Sequence, residues 1–114
     1  MIEKIVVDYL NSRGDLQAKA YTEIPKTVPE KYYLIEKTGS NVNNKITTST
    51  ISIQSHADTL FNTISLNEDL KGAMLDGLIE LEEVSAVYLN SDYNFTDTTT
   101  KKHRYQAVFV ITHY

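Results

Sequence analysis

The segment that ends the sequence, residues 104–113 (RYQAVFVITH), has apolar residues at both odd and even positions. Successive side chains of a β-strand point to opposite faces of a sheet, so a strand here would have two apolar faces. One face would hold Tyr105, Ala107, Phe109 and Ile111, and the other Val108, Val110 and Tyr114. A small domain can cover one such face with its own helices. The second face predicts association with another protein subunit.

The size and composition favour one globular domain spanning residues 1–114. A chain of this length can bury a core without covalent staples. It has no cysteine, which excludes disulfides, thiol nucleophiles and cysteine-based metal sites. The formal net charge of −4, without a basic block, argues against duplex nucleic acid as the main ligand.

The N-terminal run MIEKIVVDYL has acidic residues among its apolar ones and no cleavage-site pattern, so it does not predict a signal peptide. No apolar stretch approaches the roughly 20 residues that a membrane span requires. We therefore expect an intracellular product that has no membrane partner.

Residues 2–11 are predicted to form an amphipathic helix, because apolar residues recur at the i, i+3, i+4, i+7 and i+8 positions. Gly14 is expected to follow this helix in the left-handed conformation. A short strand is expected over 17–24. Pro25 and Pro29 then bracket a segment that should be extended and irregular, since proline fixes φ and lacks an N–H.

The middle of the chain predicts a strand over 31–39 that ends at Gly39, a loop over 40–45 and a strand rich in β-branched residues over 46–55. The longest helical pattern follows, over 57–80. It is interpreted as one helix, with a break near Asn67 as the alternative. Capping side chains for its start are available within 55–58.

Two further strands are predicted over 84–93 and 104–113, joined by a loop over 94–103 that is long for a hairpin. Two helices cannot cross over every pair of five strands, so the sheet should be mostly antiparallel. The predicted class is α+β, with a single sheet and two helices packed on one of its faces.

Motifs for catalysis or cofactor binding are not found, and no cofactor, metal ion or catalytic residue is predicted. The glycines are scattered and form no phosphate-binding loop. The three histidines lie in different predicted elements without metal-ligand spacing. The carboxylates of Glu80, Glu82 and Glu83 are interpreted as a solvated turn, because acid–base catalysis requires an environment that separates their pKa values.

Eight tyrosines are the most unusual feature of the composition. Tyrosine is enriched at protein interfaces, so those in predicted strands indicate either sheet residues with solvated hydroxyls or a subunit contact. The one basic cluster, Lys101, Lys102, His103 and Arg104, is either a solvated loop or a contact with protein or nucleic acid. The candidate interface residues are Tyr93, Phe95, Lys101, Lys102, His103, Arg104, Val108, Val110 and Tyr114.

Several stretches in order along the chain resemble the tail-terminator, or tail-completion, minor tail proteins of long-tailed bacteriophages and Gram-positive prophages. They are EIPKTVPEKYYLIEKTG, ISIQSHADTLFNTISLNEDLKGAM, DYNFTD and RYQAVFVITHY. The resemblance implies an α+β fold and a non-enzymatic structural role. Such proteins form a ring, usually a hexamer, that stops tail-tube polymerisation and joins the tail to the head connector.

The partners implied by this resemblance are copies of the chain itself, the major tail tube protein and the head–tail connector protein, with DNA only as passing cargo. The location would be the virion, after assembly in the bacterial host cytoplasm. Another neck protein, a stopper or connector subunit, is the nearest alternative. A small enzyme or ligand-binding domain, and a nucleic-acid-binding protein that uses residues 101–104, are the alternatives from other classes.

Overall fold

The computed structural model describes all 114 residues, and its two helices and five strands follow one another in the predicted order. In chain order they are α1 (Ile2–Ser12), β1 (Lys19–Tyr21), β2 (Tyr32–Asn43), β3 (Ile46–Ala57), α2 (Leu60–Asp76), β4 (Val84–Asn94) and β5 (His103–His113), with a single 3-10 turn at Leu78–Glu80.

The strands form one sheet in the order β1-β2-β3-β5-β4. All neighbours are antiparallel except β1 and β2, which pair in parallel over three residues, Lys19–Tyr21. The segment 22–31 carries the chain back to the end of the sheet where β1 began, as a parallel pair requires. The predicted α+β class with a mostly antiparallel sheet is confirmed.

Both helices pack on the same face of this sheet. The first contacts β1 and β2, and the second contacts β3, β5 and β4. In each strand, every second side chain points into the core between the sheet and the helices, because successive side chains of a strand point to opposite faces. Its fully buried members include Val6, Leu10, Tyr33, Ile35, Ile51, Ile53, Leu66, Leu70, Met74, Phe109 and Ile111.

Helix α1 has the predicted span and buries Ile2, Val6 and Leu10, one residue per turn. The predicted left-handed cap at Gly14 is wrong, because no glycine in the chain has a positive φ. Arg13 ends the helix instead, in an extended conformation with φ −82° and ψ 125°.

Helix α2 is continuous, which confirms the prediction of one helix without a break near Asn67. Asn67, the position of the alternative break, is buried within it and donates from its side-chain amide to Asp92 at 3.0 Å. The helix begins later than predicted because β3 extends to Ala57, and its N-cap is Thr59, whose hydroxyl accepts from the Asn62 N–H at 3.1 Å. It also ends earlier, at Asp76.

The loop predicted over 40–45 is wrong. Strand β2 continues to Asn43, and only Asn44 and Lys45 form the turn, with φ of 53° and 67°. Positive φ at both central residues is the geometry of the tight turns that fit the twist of a hairpin. Gly39 does not end the strand; the register shifts between Lys37 and Gly39, and pairing then resumes.

Candidate assembly surface

Neither helix packs on the side of the sheet opposite the core, which we call the open face. At its β2 end, residues 28–30 line a cleft with Tyr32, which is only 7% exposed. The strand register shows which side chains share this face. They are Tyr32, Leu34, Glu36, Thr48, Thr50, Ser52, Gln54, His56, Ala86, Tyr88, Ser91, Tyr93, Arg104, Gln106, Val108, Val110 and Thr112.

A short apolar stripe, Val108, Val110 and Tyr88, lies on β5 and β4 within the open face, next to Ser52 and Thr50 of β3. Val108 and Val110 are half-buried by their neighbours in the sheet alone, since no helix lies over them. Tyr88, paired with Val110, is 55% exposed, and Leu34 on β2 is half-buried. Strand β5 is therefore apolar on both faces, as predicted, and only one of these faces is shielded by the chain itself.

A row of side-chain hydrogen bonds crosses the open face beside this stripe. The Gln54 amide donates to Gln106 Oε1 at 3.2 Å, and the Gln106 amide donates to the Tyr93 hydroxyl. His56 Nε2 lies 3.0 Å from Gln54 Oε1, which makes this nitrogen the donor. The row joins β3, β5 and β4 without using the backbone, so it fixes the orientation of the Tyr93 ring.

The imidazole of His56 continues this row onto β2. Its ring stacks on Tyr32 with centroids 4.4 Å apart and planes inclined by 6°. Burial lowers the pKa of His56 to about 4, with further lowering from the nearby cations Arg104 and Lys102. The ring is therefore neutral at pH 7, and it adds no charge to the open face.

The predicted residues Phe95 and Arg104 form a contact at the corner of the open face. The Arg104 guanidinium lies 4.5 Å from the centre of the Phe95 ring, and its Nε donates to the Phe95 carbonyl at 2.6 Å. The Tyr93 ring meets Phe95 edge-on at 6.0 Å. Three of the predicted interface residues are thus held together by direct contacts.

The connection that follows is an ordered turn and is shorter than the predicted loop. Asp97 Oδ1 accepts from the N–H groups of Thr99 and Thr100 at 2.9 and 3.3 Å. Lys101 has a positive φ of 59°, and its N–H donates to the Asp97 carbonyl at 2.7 Å. These bonds lower the pKa of Asp97, since they stabilise its charged form.

The basic cluster lies along one side of a cleft of about 270 Å³. Lys101 and Lys102 are exposed and His103 is half-buried. Glu30 and Asp58 line the same cleft, so it contains both cationic and anionic side chains. This arrangement is not a uniformly basic surface of the kind that binds nucleic-acid backbones.

The remaining predicted residue, Tyr114, lies apart from this group. It follows the last residue of β5, is 71% exposed, and its N–H donates to the Glu83 carbonyl at 3.0 Å. Arg104 is at the other end of the same strand, about 33 Å away at the usual rise per residue. The predicted interface residues therefore form two groups, joined by Val108 and Val110.

The sequence interpretation missed the members of the open face on β2 and β3, Leu34, Gln54 and His56. The alternation of Ile51 and Ile53 with Ser52 and Gln54 was the signal for them. Once β3 is known to lie next to β5, this alternation places Ser52 and Gln54 on the same face as Val108. Strand order, which local pattern does not reveal, was the missing information.

A serine–histidine contact lies in the core, on the covered side of the sheet. Ser49 Oγ and His113 Nε2 are 2.8 Å apart, a distance suited to a nucleophile and its base. Both residues are buried, and neither lines any of the cavities described here. The other ring nitrogen lies 3.2 Å from the main-chain oxygen of Tyr114. The pair satisfies two buried polar groups on adjacent strands.

No group of three or more histidine, aspartate or glutamate side chains is arranged to hold a metal ion. Glu80, Glu82 and Glu83 are all exposed, as expected for a solvated turn. The largest cavity, about 500 Å³, is an open groove between the start of α1 and β2. Neither helix has the length and apolar character needed to cross a membrane.

Comparison with known protein families finds no matching family model, and comparison with curated proteins finds no significant match. The proposals below therefore depend on the surface geometry and on the residues that carry the resemblance.

Proposed function

We propose that this chain is a tail terminator of a long-tailed phage or prophage. Copies of it form a ring, by the resemblance a hexamer, on the finished tail tube. The ring stops tube polymerisation and presents the surface that joins the head connector. The protein is a structural component of the virion and needs no catalytic residue or cofactor.

The uncovered face of the sheet is the observation that carries the proposal. Fourteen large apolar or aromatic side chains are exposed, and Tyr88, Tyr93 and Phe95 are among them, on or beside the open face. Monomeric proteins rarely expose contiguous apolar patches larger than a few hundred Å². In the assembled particle, this face is buried against a subunit of the tail tube.

The surface also has the composition of a protein interface. Val108, Val110 and Tyr88 form an apolar and aromatic cluster on β5 and β4, and polar side chains such as Ser52, Thr50 and Gln106 flank it. Charged residues are depleted from the cores of such contacts and aromatic residues are enriched. Arg104 and the two lysines lie at the edge of the face, where charges guide encounter more than they add affinity.

Deleting the gene in the phage or prophage that encodes this chain tests the function directly. A terminator is needed to stop polymerisation, so electron microscopy should show tails without heads and with tubes of uncontrolled length. Tails of normal length in the deletion strain would contradict the proposal. Normal tails that fail to join heads would favour a stopper or connector subunit instead.

The surface itself is tested by Tyr88→Lys, with Ile79→Lys as the matched control. The two side chains are 55% and 48% exposed, but Ile79 lies in the 3-10 turn on the covered side of the molecule. Removing an aromatic anchor at the centre of an interface costs about 2 kcal/mol or more, or roughly a 30-fold loss of affinity. We expect Tyr88→Lys to abolish co-sedimentation with tail tubes and Ile79→Lys to retain it. An equal loss in both variants, or none in either, would contradict the role of the open face.

A further inference from the structure

The sheet has two free edges, and they lie on opposite sides of the molecule. Strand β1 pairs with β2 only as far as Leu34, so the outer half of β2, residues Glu36–Asn43, has β3 on one side and no strand on the other. Strand β4 is last in the sheet order, so one side of it is unpaired along its whole length.

The edge of β4 lacks most of the features that prevent pairing with another chain, although it has two register shifts. Residues Val84–Ser91 include no charged residue, proline or glycine. Register shifts at Ser85 and Asn90 bound a regular run, Ala86–Leu89. The outer half of β2 likewise has a regular run, Gly39–Asn43, after its own shift, and this run is uncharged. The two runs have four and five residues and carry no charges to repel one another.

The direction of the strands permits these two edges to pair. Each of the three steps from β2 through β3 and β5 to β4 is antiparallel, so β4 runs opposite to β2. A second copy placed beside the first in the same orientation therefore presents its β2 antiparallel to the first copy's β4. The open faces of both copies then lie on the same side of the extended sheet.

We propose that the β4 edge of one copy pairs with the outer half of β2 of the next copy, which continues the sheet from subunit to subunit. This inference rests on the proposed ring and specifies the contact that closes it. A contact between two different patches is the head-to-tail type that generates rings. A two-fold contact between two β4 edges would leave both β2 edges unpaired, whereas the head-to-tail contact uses both.

Disulfide cross-linking of single-cysteine variants tests the contact, since the chain has no cysteine of its own. One protein carries Asn41→Cys, which lies on the open-face side of β2. The other carries a cysteine at Ala86, Tyr88 or Ser91, on the same side of β4, which samples three registers. Cα atoms of paired strands are about 5.5 Å apart, which a disulfide spans.

We expect a cross-linked dimer in the mixture for at least one of the three positions, and none when either variant is oxidised alone. Thr98→Cys in the exposed β4–β5 turn serves as the control and should not link to Asn41→Cys. Homodimers linked through Ala86→Cys would instead show the two-fold β4 contact and overturn the inference.

Hydrogen exchange of the unmodified protein gives a second, independent measurement. Amides of Gly39–Asn43 and Ala86–Leu89 should become protected on assembly, and those of 98–101 should not. If the protein forms rings and binds tubes while these edges stay unprotected and unlinked, the edge contact is wrong and the proposed function survives. If the edges link but tubes are neither bound nor limited in length, the contact is supported and the terminator function is wrong.

Discussion

The two faces of the sheet differ both in their side chains and in what covers them: Ile51 and Ile53 lie on the covered face, and Ser52 and Gln54 on the open face. On strand β5, Phe109 and Ile111 have no exposed surface, because α2 packs on them, while Val108 and Val110 between them lie on the open face. The open side of β5 also carries Arg104, Gln106 and Thr112, so it is the less apolar of the two. The strand sequence and the position of α2 therefore agree on which side is buried within the chain.

This difference separates the part of the molecule that makes the fold from the part that is available for assembly. A residue under α2 should affect the stability of the isolated chain. A residue on the open face should affect it little and should affect association strongly. The predictions that follow compare matched positions on the two faces.

The largest difference in the free energy of unfolding is expected between the variants Phe109→Ala and Val108→Ala, which change adjacent residues of one strand. Phe109 is 0% exposed in the core, and truncating a buried phenylalanine to alanine costs about 3–5 kcal/mol. Val108 lies on the open face without a helix over it, so we expect a loss of about 1 kcal/mol or less. Urea unfolding at a concentration where the chain is monomeric measures both. Equal losses would mean that the open face is covered within the chain.

The next largest effect concerns how α1 is attached to α2 on the covered side. The Tyr9 hydroxyl donates to the Ala73 carbonyl near the end of α2 at 2.7 Å, and Arg13 Nη1 donates to that hydroxyl at 2.7 Å. A Cβ at Gly77 would overlap the Tyr9 hydroxyl and approach Arg13 Nη1 to 2.8 Å. The glycine leaves the space in which these groups satisfy the last carbonyls of the helix.

We therefore expect Gly77→Ala to lower the free energy of unfolding by about 1–2 kcal/mol, since it displaces the partly buried hydrogen bonds of the Tyr9 hydroxyl. Gly72→Ala is the comparison variant. Gly72 lies inside α2, which Gly77 caps, and has open space around it, so alanine there should stabilise the helix by about 0.5–1 kcal/mol. A Gly77→Ala variant as stable as the parent would show that Tyr9 and Arg13 can move without cost.

Much of this arrangement could be predicted from the sequence, and the failures have a common physical cause. The helices, the long strands and the two-sided character of β5 follow from periodicity within a single element. The extension of β2 beyond Gly39 does not, because Ser40 and Asn41 are poor strand residues taken individually. They are extended because Ser49 and Thr48 of β3 pair with them.

The candidate surface shows the same limit. Tyr93, Phe95 and Arg104 were predicted from their residue types, and the structure places them in contact. Gln54 and His56 belong to the same surface but could be found only from the strand order. The long loop expected around Lys101 is confirmed, since residues 95–102 join β4 to β5, but the bonds accepted by Asp97 that order it could not be predicted from the pattern.

The third prediction concerns the pH dependence contributed by the open face. The pKa of His56 in the folded chain is about 4, below its unperturbed value of 6.5, so the unfolded chain takes up this proton first on acidification. Stability should fall between about pH 6.5 and 4 and level off below. The shift corresponds to at most about 3 kcal/mol, which partial exposure of the ring reduces to about 1–2 kcal/mol.

His56→Gln provides the comparison, because glutamine keeps a donor for Gln54 and does not titrate. Unfolding free energies measured from pH 7 to 4 should diverge, with the parent losing about 1–2 kcal/mol more than the variant. Parallel curves for the two proteins would mean that His56 is hydrated in the folded chain. The open face would then be wetter at the Tyr32 end than its stacked geometry indicates.

The smallest predicted loss of stability is that from removing a tyrosine hydroxyl, and the two faces offer one such hydroxyl each. Tyr33 is fully buried on the covered face and donates to the Leu66 carbonyl of α2 at 2.8 Å, and burial raises its pKa. Tyr93 is 41% exposed on the open face and accepts from Gln106. Tyr33→Phe should cost about 1 kcal/mol, because it removes a hydrogen bond shielded from water, and Tyr93→Phe about 0–0.5 kcal/mol, because water replaces the hydroxyl as partner. Thermal unfolding of the dilute chain measures both.

At concentrations where copies assemble, the loss of stability caused by Tyr93→Phe should increase if association excludes water from the open face. It should stay unchanged if that face remains solvated.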